Sequence, residues 1–128
     1  MTKNIDPIQL QKIAEAIQQV QHEIRWKSDS AIRHLNTRKK RGHLATDAAL
    51  SDYHQLIKKI VTTLDADVYL FQYSEDYPTV VTFLEEAHWL VMFSMDGIME
   101  TAFVVERPNA YLNKPNVIYL GKLQELLS

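Results

Sequence analysis

The sequence predicts an α+β domain, with three N-terminal helices followed by an antiparallel β-meander of four to five strands. Three observations predict it. Apolar residues recur at helical spacing through the first half of the chain. After "DAD" (65–67) the period shortens to two-residue alternation. Asp96-Gly97 then stands between two apolar runs as a tight-turn signal. Helices and strands segregated along the chain mark the α+β class. A length of 128 residues suits one domain, 1–128. Within it lie an N-terminal amphipathic helix (1–27), a basic, His-containing segment with a helix (28–66), and the meander (67–121).

Residues 6–26 read as the first helix. Asp6 fits the N-cap and Pro7 the first helical position. Leu10, Ile13, Ile17, Val20 and Ile24 form one apolar stripe. The opposite face is rich in glutamine. So narrow a seam serves either the chain's own core or a second chain. "KSDSAIRHL" starts a second helix, capped by Ser28, Asp29 or Ser30, running to about Lys40 and stopped by Gly42. "TDAALSDYHQLIKKIVTTL" gives the third, with Thr46 or Ser51 as cap. Its buried face is Leu50, Tyr53, Ile57, Ile60, Val61 and Leu64.

The strand candidates are "VYLFQY" (68–73), "TVVTFL" (79–84), "HWLVMFSM" (88–95), "IMETAFVV" (98–105) and "VIYLG" (117–121). They are rich in β-branched and aromatic residues. A tight turn at Asp96-Gly97 pairs Met95 with Ile98 and Met92 with Thr101. That register puts Leu90, Met92, Thr101 and Phe103 on one face, and Trp89, Val91, Phe93, Glu100 and Ala102 on the other.

An apolar fraction of 46% is too high for a disordered chain. The absence of cysteine excludes disulfides, thiol chemistry and Cys-based zinc sites. There is no HxxxH, HExxH or EF-hand pattern, so no metal site is expected. Neither a Gly-rich phosphate loop nor a serine-hydrolase elbow is present. "MTKNIDPIQLQK" lacks the apolar core of a signal peptide, and no apolar run approaches the roughly 20 residues of a membrane span. The expectation is a cytoplasmic protein with no membrane role.

The net charge of −2 hides a segregation. Residues 1–59 carry eleven Lys/Arg against six Asp/Glu, whereas residues 60–106 carry nine acids and no Lys or Arg. The positive charge centres on "RHLNTRKKRGH" (33–43), which holds five Lys/Arg, two histidines and no acid. Any contact with a polyanion must use this local patch.

The segment "RHLNTRKKRGHLA", then "LSDYHQLIKKIVTTLDADVY", then "HWLVMFSMDGIMETAFVV" resembles the phage-associated branch of the barnase–EndoU–colicin–RelE-like ribonucleases. The matching positions are His34, Arg38 and His43, then Asp52 and Tyr53, then Asp67-Val68-Tyr69, then Thr101 with Phe103. The match covers roughly residues 32–120 and leaves the first helix outside it. Ala102 separates Thr101 from Phe103, where the family often has the aromatic directly after threonine. The resemblance implies N-terminal helices on a four-stranded antiparallel sheet, in a phage or toxin protein that cuts RNA without a metal or other cofactor.

That reaction uses the ribose 2′-hydroxyl as nucleophile. It needs a proton acceptor, a donor for the leaving 5′-oxygen, and cations for the phosphorane charge. The histidines His34 and His43 titrate near neutrality and are the candidates for proton transfer. Arg38, Lys39 and Arg41 are the candidate phosphate-binding residues. Thr101 enters the candidate site only through the resemblance. Glu100, a carboxylate expected among apolar groups, is an accessory candidate base, and Arg107 and Tyr111 in the following loop are accessory candidates for ligand contact.

Each of these residues also has a plain structural reading. Cations suit the last turn of a helix, histidines cap or lie exposed, and threonine is a common strand residue. The whole-chain alternative is a non-enzymatic, protein-binding module: an immunity or accessory protein, or a homodimer formed through the 6–26 helix.

Overall fold

The computed structural model describes residues 6–28, 30–72 and 77–127. The elements run α1 (Pro7–His22), β1 (Arg25–Trp26), α2 (Ser30–Lys40), α3 (Leu50–Thr62), β2 (Asp67–Gln72), β3 (Pro78–Leu84), β4 (Trp89–Ser94), β5 (Ile98–Val104), α4 (Pro108–Leu112), β6 (Val117–Lys122) and α5 (Leu123–Leu127). The fold is α+β, as expected. The sheet differs from a four- to five-stranded antiparallel meander: among the described residues it has six strands in the order β1-β5-β4-β3-β2-β6 and is mixed. β2 to β5 form antiparallel neighbours, β6 returns to pair with β2, and β1 lies parallel to β5. α4 and α5, a single turn or so each, carry too few residues for a periodic signal.

Asp6 caps α1 by accepting a hydrogen bond from Ile8 N at 2.9 Å. The helix ends at His22, four residues before its expected end. Glu23 turns extended there, and Arg25–Trp26 joins the sheet instead. Ile13, Ala16, Ile17 and Val20 are buried, so the apolar stripe is occupied within the chain. A second chain would have to use other surface of α1. α3 starts at Leu50, and its N-cap is Ala49 rather than Thr46 or Ser51. Asp52 Oδ2 accepts from Ala49 N at 2.8 Å, which holds the first turn without a capping side chain at Ala49. Leu64 falls beyond the helix end and is 59% exposed rather than buried.

α1 and α3 cover one face of the sheet. Ile13, Ile17, Tyr53, Ile57 and Ile60 pack there against Val68, Leu70, Val80, Val91, Phe93 and Ala102. Each such side chain removed from water contributes roughly 1.5–3 kcal/mol. The other face carries a smaller cluster of Phe71, Val81, Phe83, Leu90 and Met92 beneath Leu112 of α4. Among the described residues, no helix is long and apolar enough to cross a membrane.

The β4–β5 hairpin corrects one detail that matters for the site. Its loop is Met95-Asp96-Gly97, so Met95 and Ile98 do not pair. Gly97 has φ +76°, and an added Cβ would lie 2.9 Å from the Gln19 side chain on α1. Only glycine fits this left-handed, closely packed tip. The pairing slips by one residue between Met92 and Phe93. Met92 still faces Thr101, but Phe93 faces Met99 instead of Glu100. Glu100 is the extra residue of a bulge. It is exposed rather than set among Trp89, Val91 and Phe93, and its carboxylate accepts from Thr79 Oγ1 at 3.3 Å.

Candidate functional site

β5 is nearly an edge strand, because the two-residue β1 covers only its start. α2 lies along the remainder. His34 and Arg38 are one helical turn apart and so share a face of α2. After Lys40 the chain reverses. Gly42, at φ +76°, donates its N–H to Lys39 O at 3.1 Å, and His43 N donates to Arg38 O at 2.9 Å. This pair of bonds is a Schellman closure. It folds His43 back onto the helix that ends with Arg38.

The side chains then meet. Arg38 Nη1 donates to His43 Nδ1 at 3.0 Å, and Val104 N donates weakly to the same nitrogen at 3.4 Å. A guanidinium and a backbone N–H can only donate, so Nδ1 of His43 is an acceptor and its proton sits on Nε2. Burial, Arg38 and Arg41 hold His43 below the usual 6.5, against a smaller opposing pull from Glu106. The ring is therefore neutral at neutral pH. His34 Nδ1 lies 3.2 Å from Thr101 Oγ1. Its ring stacks on Trp26 at 5.1 Å between centroids. Burial first, then Arg33 and Arg38, holds it too below 6.5.

Behind this row, the buried Tyr53 donates its hydroxyl proton to Ala102 O at 2.6 Å, which ties α3 to β5. Burial pushes this phenol up to about 12. The Trp26 indole N–H donates to His54 Nε2 at 2.8 Å, giving His54 a structural partner.

Arg38, Arg41, His43 and Thr101 line one cleft of about 670 Å³ together with Phe103, Arg107, Tyr111 and Lys114. Arg38 is only 8% exposed, and its Nε has no hydrogen-bond partner among the described residues. Its guanidinium lies 5.5 Å from the centre of the Phe103 ring. Lys114 Nζ lies 5.0 Å from that of Tyr111, and the two rings meet edge-on at 5.8 Å. Among the described residues, none of Arg38, Arg41, Arg107 and Lys114 forms an ion pair with a carboxylate. Ring faces hold two of these cations where acids ordinarily would. Glu106 is the one acid of the lining.

The structure thus brings His34, Arg38, Arg41, His43, Thr101, Arg107 and Tyr111 to one stretch of β5. Lys39 is not among the lining residues of this cleft. Glu100 lies in a neighbouring cleft with His34 and Arg33. Sequence reasoning missed Lys114, which had no cationic neighbour in the chain to mark it, and set Trp26 inside a helix. Among the described residues no group of three or more His, Asp or Glu could hold a metal ion.

The model of a family described as "Uncharacterised protein aq_aa01" matches residues 15–118, which include every residue of this site. The chain belongs to that family. No curated protein and no solved structure matches it.

Proposed function

We propose that the chain is a small ribonuclease-like domain that binds the RNA backbone in the Arg38–Arg41–Arg107–Lys114 cleft and cleaves it by 2′-hydroxyl attack without a metal. One observation carries this reading. Four cations without acid partners converge on a cleft that also holds His43 and Thr101, with His34 hydrogen-bonded to that threonine. Such an arrangement of donors suits a phosphorane, whose negative charge grows in the transition state.

In this reading the two histidines, both candidates for proton transfer in the sequence, take different roles. His43 has its Nδ1 lone pair occupied, so it serves as an Nε2–H donor to phosphate. In this reading neutral His34 donates its Nδ1–H to Thr101 Oγ1, which leaves the Nε2 lone pair to accept the proton. In the step, His34 takes the 2′-hydroxyl proton and O2′ bonds to phosphorus. The P–O5′ bond breaks, leaving a 2′,3′-cyclic phosphate, and the 5′-oxygen takes a proton from solvent. Arg38 and Arg41 balance the charge.

The test is incubation of purified protein with total RNA in EDTA, beside His34→Ala. Cleavage to cyclic-phosphate ends, reduced about 100-fold or more in the variant, is the expected result. An RNA neither bound nor cut by the wild type overturns the reading. It would instead favour an acidic protein partner, for which the same unpaired cations are suited.

A further inference from the structure

A second cleft of about 590 Å³ adjoins the first and is lined by Lys27, Ser28, Ser30, Arg33, His34 and Glu100. Its chemistry differs from that of its neighbour. Among the described residues the first cleft sets four cations against one acid, whereas here Lys27 and Arg33 share the lining with one carboxylate and two serines. Ser30 is 6% exposed, and its Oγ has no hydrogen-bond partner among the described residues. A buried hydroxyl left in this way is costly. The two clefts meet at a ridge. Thr101 lines the first, His34 lines the second, and the two are hydrogen-bonded at 3.2 Å.

Resting on the ribonuclease reading, we infer that the Lys27–Arg33–Glu100 cleft is a second subsite, which takes the nucleotide next to the cleaved bond in a single-stranded RNA. The phosphate on which reaction occurs lies at the Thr101–His34 ridge, and the flanking phosphates on one side run into the cationic cleft. On the other side the ribose and base enter the mixed cleft. Glu100 accepts there from a hydroxyl or base N–H, while Arg33 and Lys27 meet the following phosphate. A group with both donors and a carboxylate acceptor fits a nucleoside better than a bare phosphate. The strand must be single. In-line attack by O2′ needs a nucleotide freed from helical stacking, and bases can enter a cleft only when they are splayed out.

The test is fluorescence anisotropy with 2′-O-methylated oligoribonucleotides, which cannot be cleaved, in EDTA. A mixed-sequence hexamer is compared with a trimer and with the hexamer annealed to its complement. The wild type is expected to bind the single-stranded hexamer about tenfold more tightly than the trimer, and the duplex more weakly than the single strand. Lys27→Ala/Arg33→Ala changes two exposed side chains, so folding is not at stake. It should bring the hexamer-to-trimer ratio close to one. Arg107→Ala should weaken both oligomers. If the ratio survives in the double variant while Arg107→Ala still weakens binding, the second subsite is wrong and the first cleft stands. Equal binding of the duplex overturns the single-strand inference. If the wild type binds none of the oligomers, the ribonuclease reading falls and this inference with it.

Discussion

The two edges of the sheet use their charges in opposite ways. At the β2–β6 edge, Lys122 Nζ lies 3.0 Å from Asp67 and 3.7 Å from Asp65, and the Tyr119 hydroxyl donates to Asp67 at 2.9 Å. Burial and the bond to Asp67 push that phenol up. Lys122, Asp65, Asp67 and Tyr119 are joined in this way into a network of ordinary kind. Along β5, Arg38 is packed against a histidine and a phenyl ring, and Arg41, Arg107 and Lys114 crowd beside it. Like charges drawn together with one acid, Glu106, among them oppose folding, and the anionic ligand proposed above would offset that cost. The comparison separates charges paired within the fold from charges left without an acid partner among the described residues.

The largest expected effect is at Arg38. Arg38→Met keeps the volume and the contact with Phe103 but removes a buried, acid-free charge. Cleavage or RNA affinity should fall about 100-fold or more. Thermal stability should stay level or rise, since no acid partner repays the desolvation of this charge. A melting temperature well below that of the wild type would show that Arg38 supports the fold, which would erase the contrast between the edges.

Acidity gives an intermediate effect. His34, His43 and His54 all sit below 6.5 in the folded chain. As pH falls through 6.5 the unfolded chain takes up protons that the folded one still refuses. Stability is therefore full above that value and declines as pH drops toward the lowered folded values. The acid limb of kcat/KM, set by neutral His34, should lie below pH 6.5 for the same reason. Arg33→Gln removes a charge that depresses His34, so the limb should move to higher pH. A limb that stays in place would take His34 out of the role of base.

The smallest effect belongs to the opposite edge. Asp67→Asn should lower stability by at most about 1 kcal/mol and leave RNA cleavage unchanged. A loss of cleavage there would mean that the paired edge also takes part.

The acidic segment 60–106 shows why charge along a chain is a poor map of charge on a surface. Glu85 and Glu86 lie in the β3–β4 turn, Asp96 at a hairpin tip, and Asp65 and Asp67 at the far edge. Among the described residues of this segment, only Glu100 and Glu106 line the two clefts at β5. The sheet region therefore borders a cationic site despite containing no Lys or Arg between 60 and 106.

By itself the sequence determined what depends on neighbours along the chain. The α1 cap at Asp6, the Gly42 stop that turns His43 back, the alternating strands and the pairing of Met92 with Thr101 are all local choices of backbone or of side-chain period. Tertiary structure alone decided what depends on distant partners. It placed Trp26 in a parallel strand, moved Glu100 to the open face through a one-residue bulge, and laid α2 along the bare edge of β5. His34 and Thr101 are 67 residues apart in the chain, and no periodicity reaches that far. Lys114 joined the cleft for the same reason: the backbone that carries it is positioned by packing of Leu112 on the sheet, not by any pattern around the lysine.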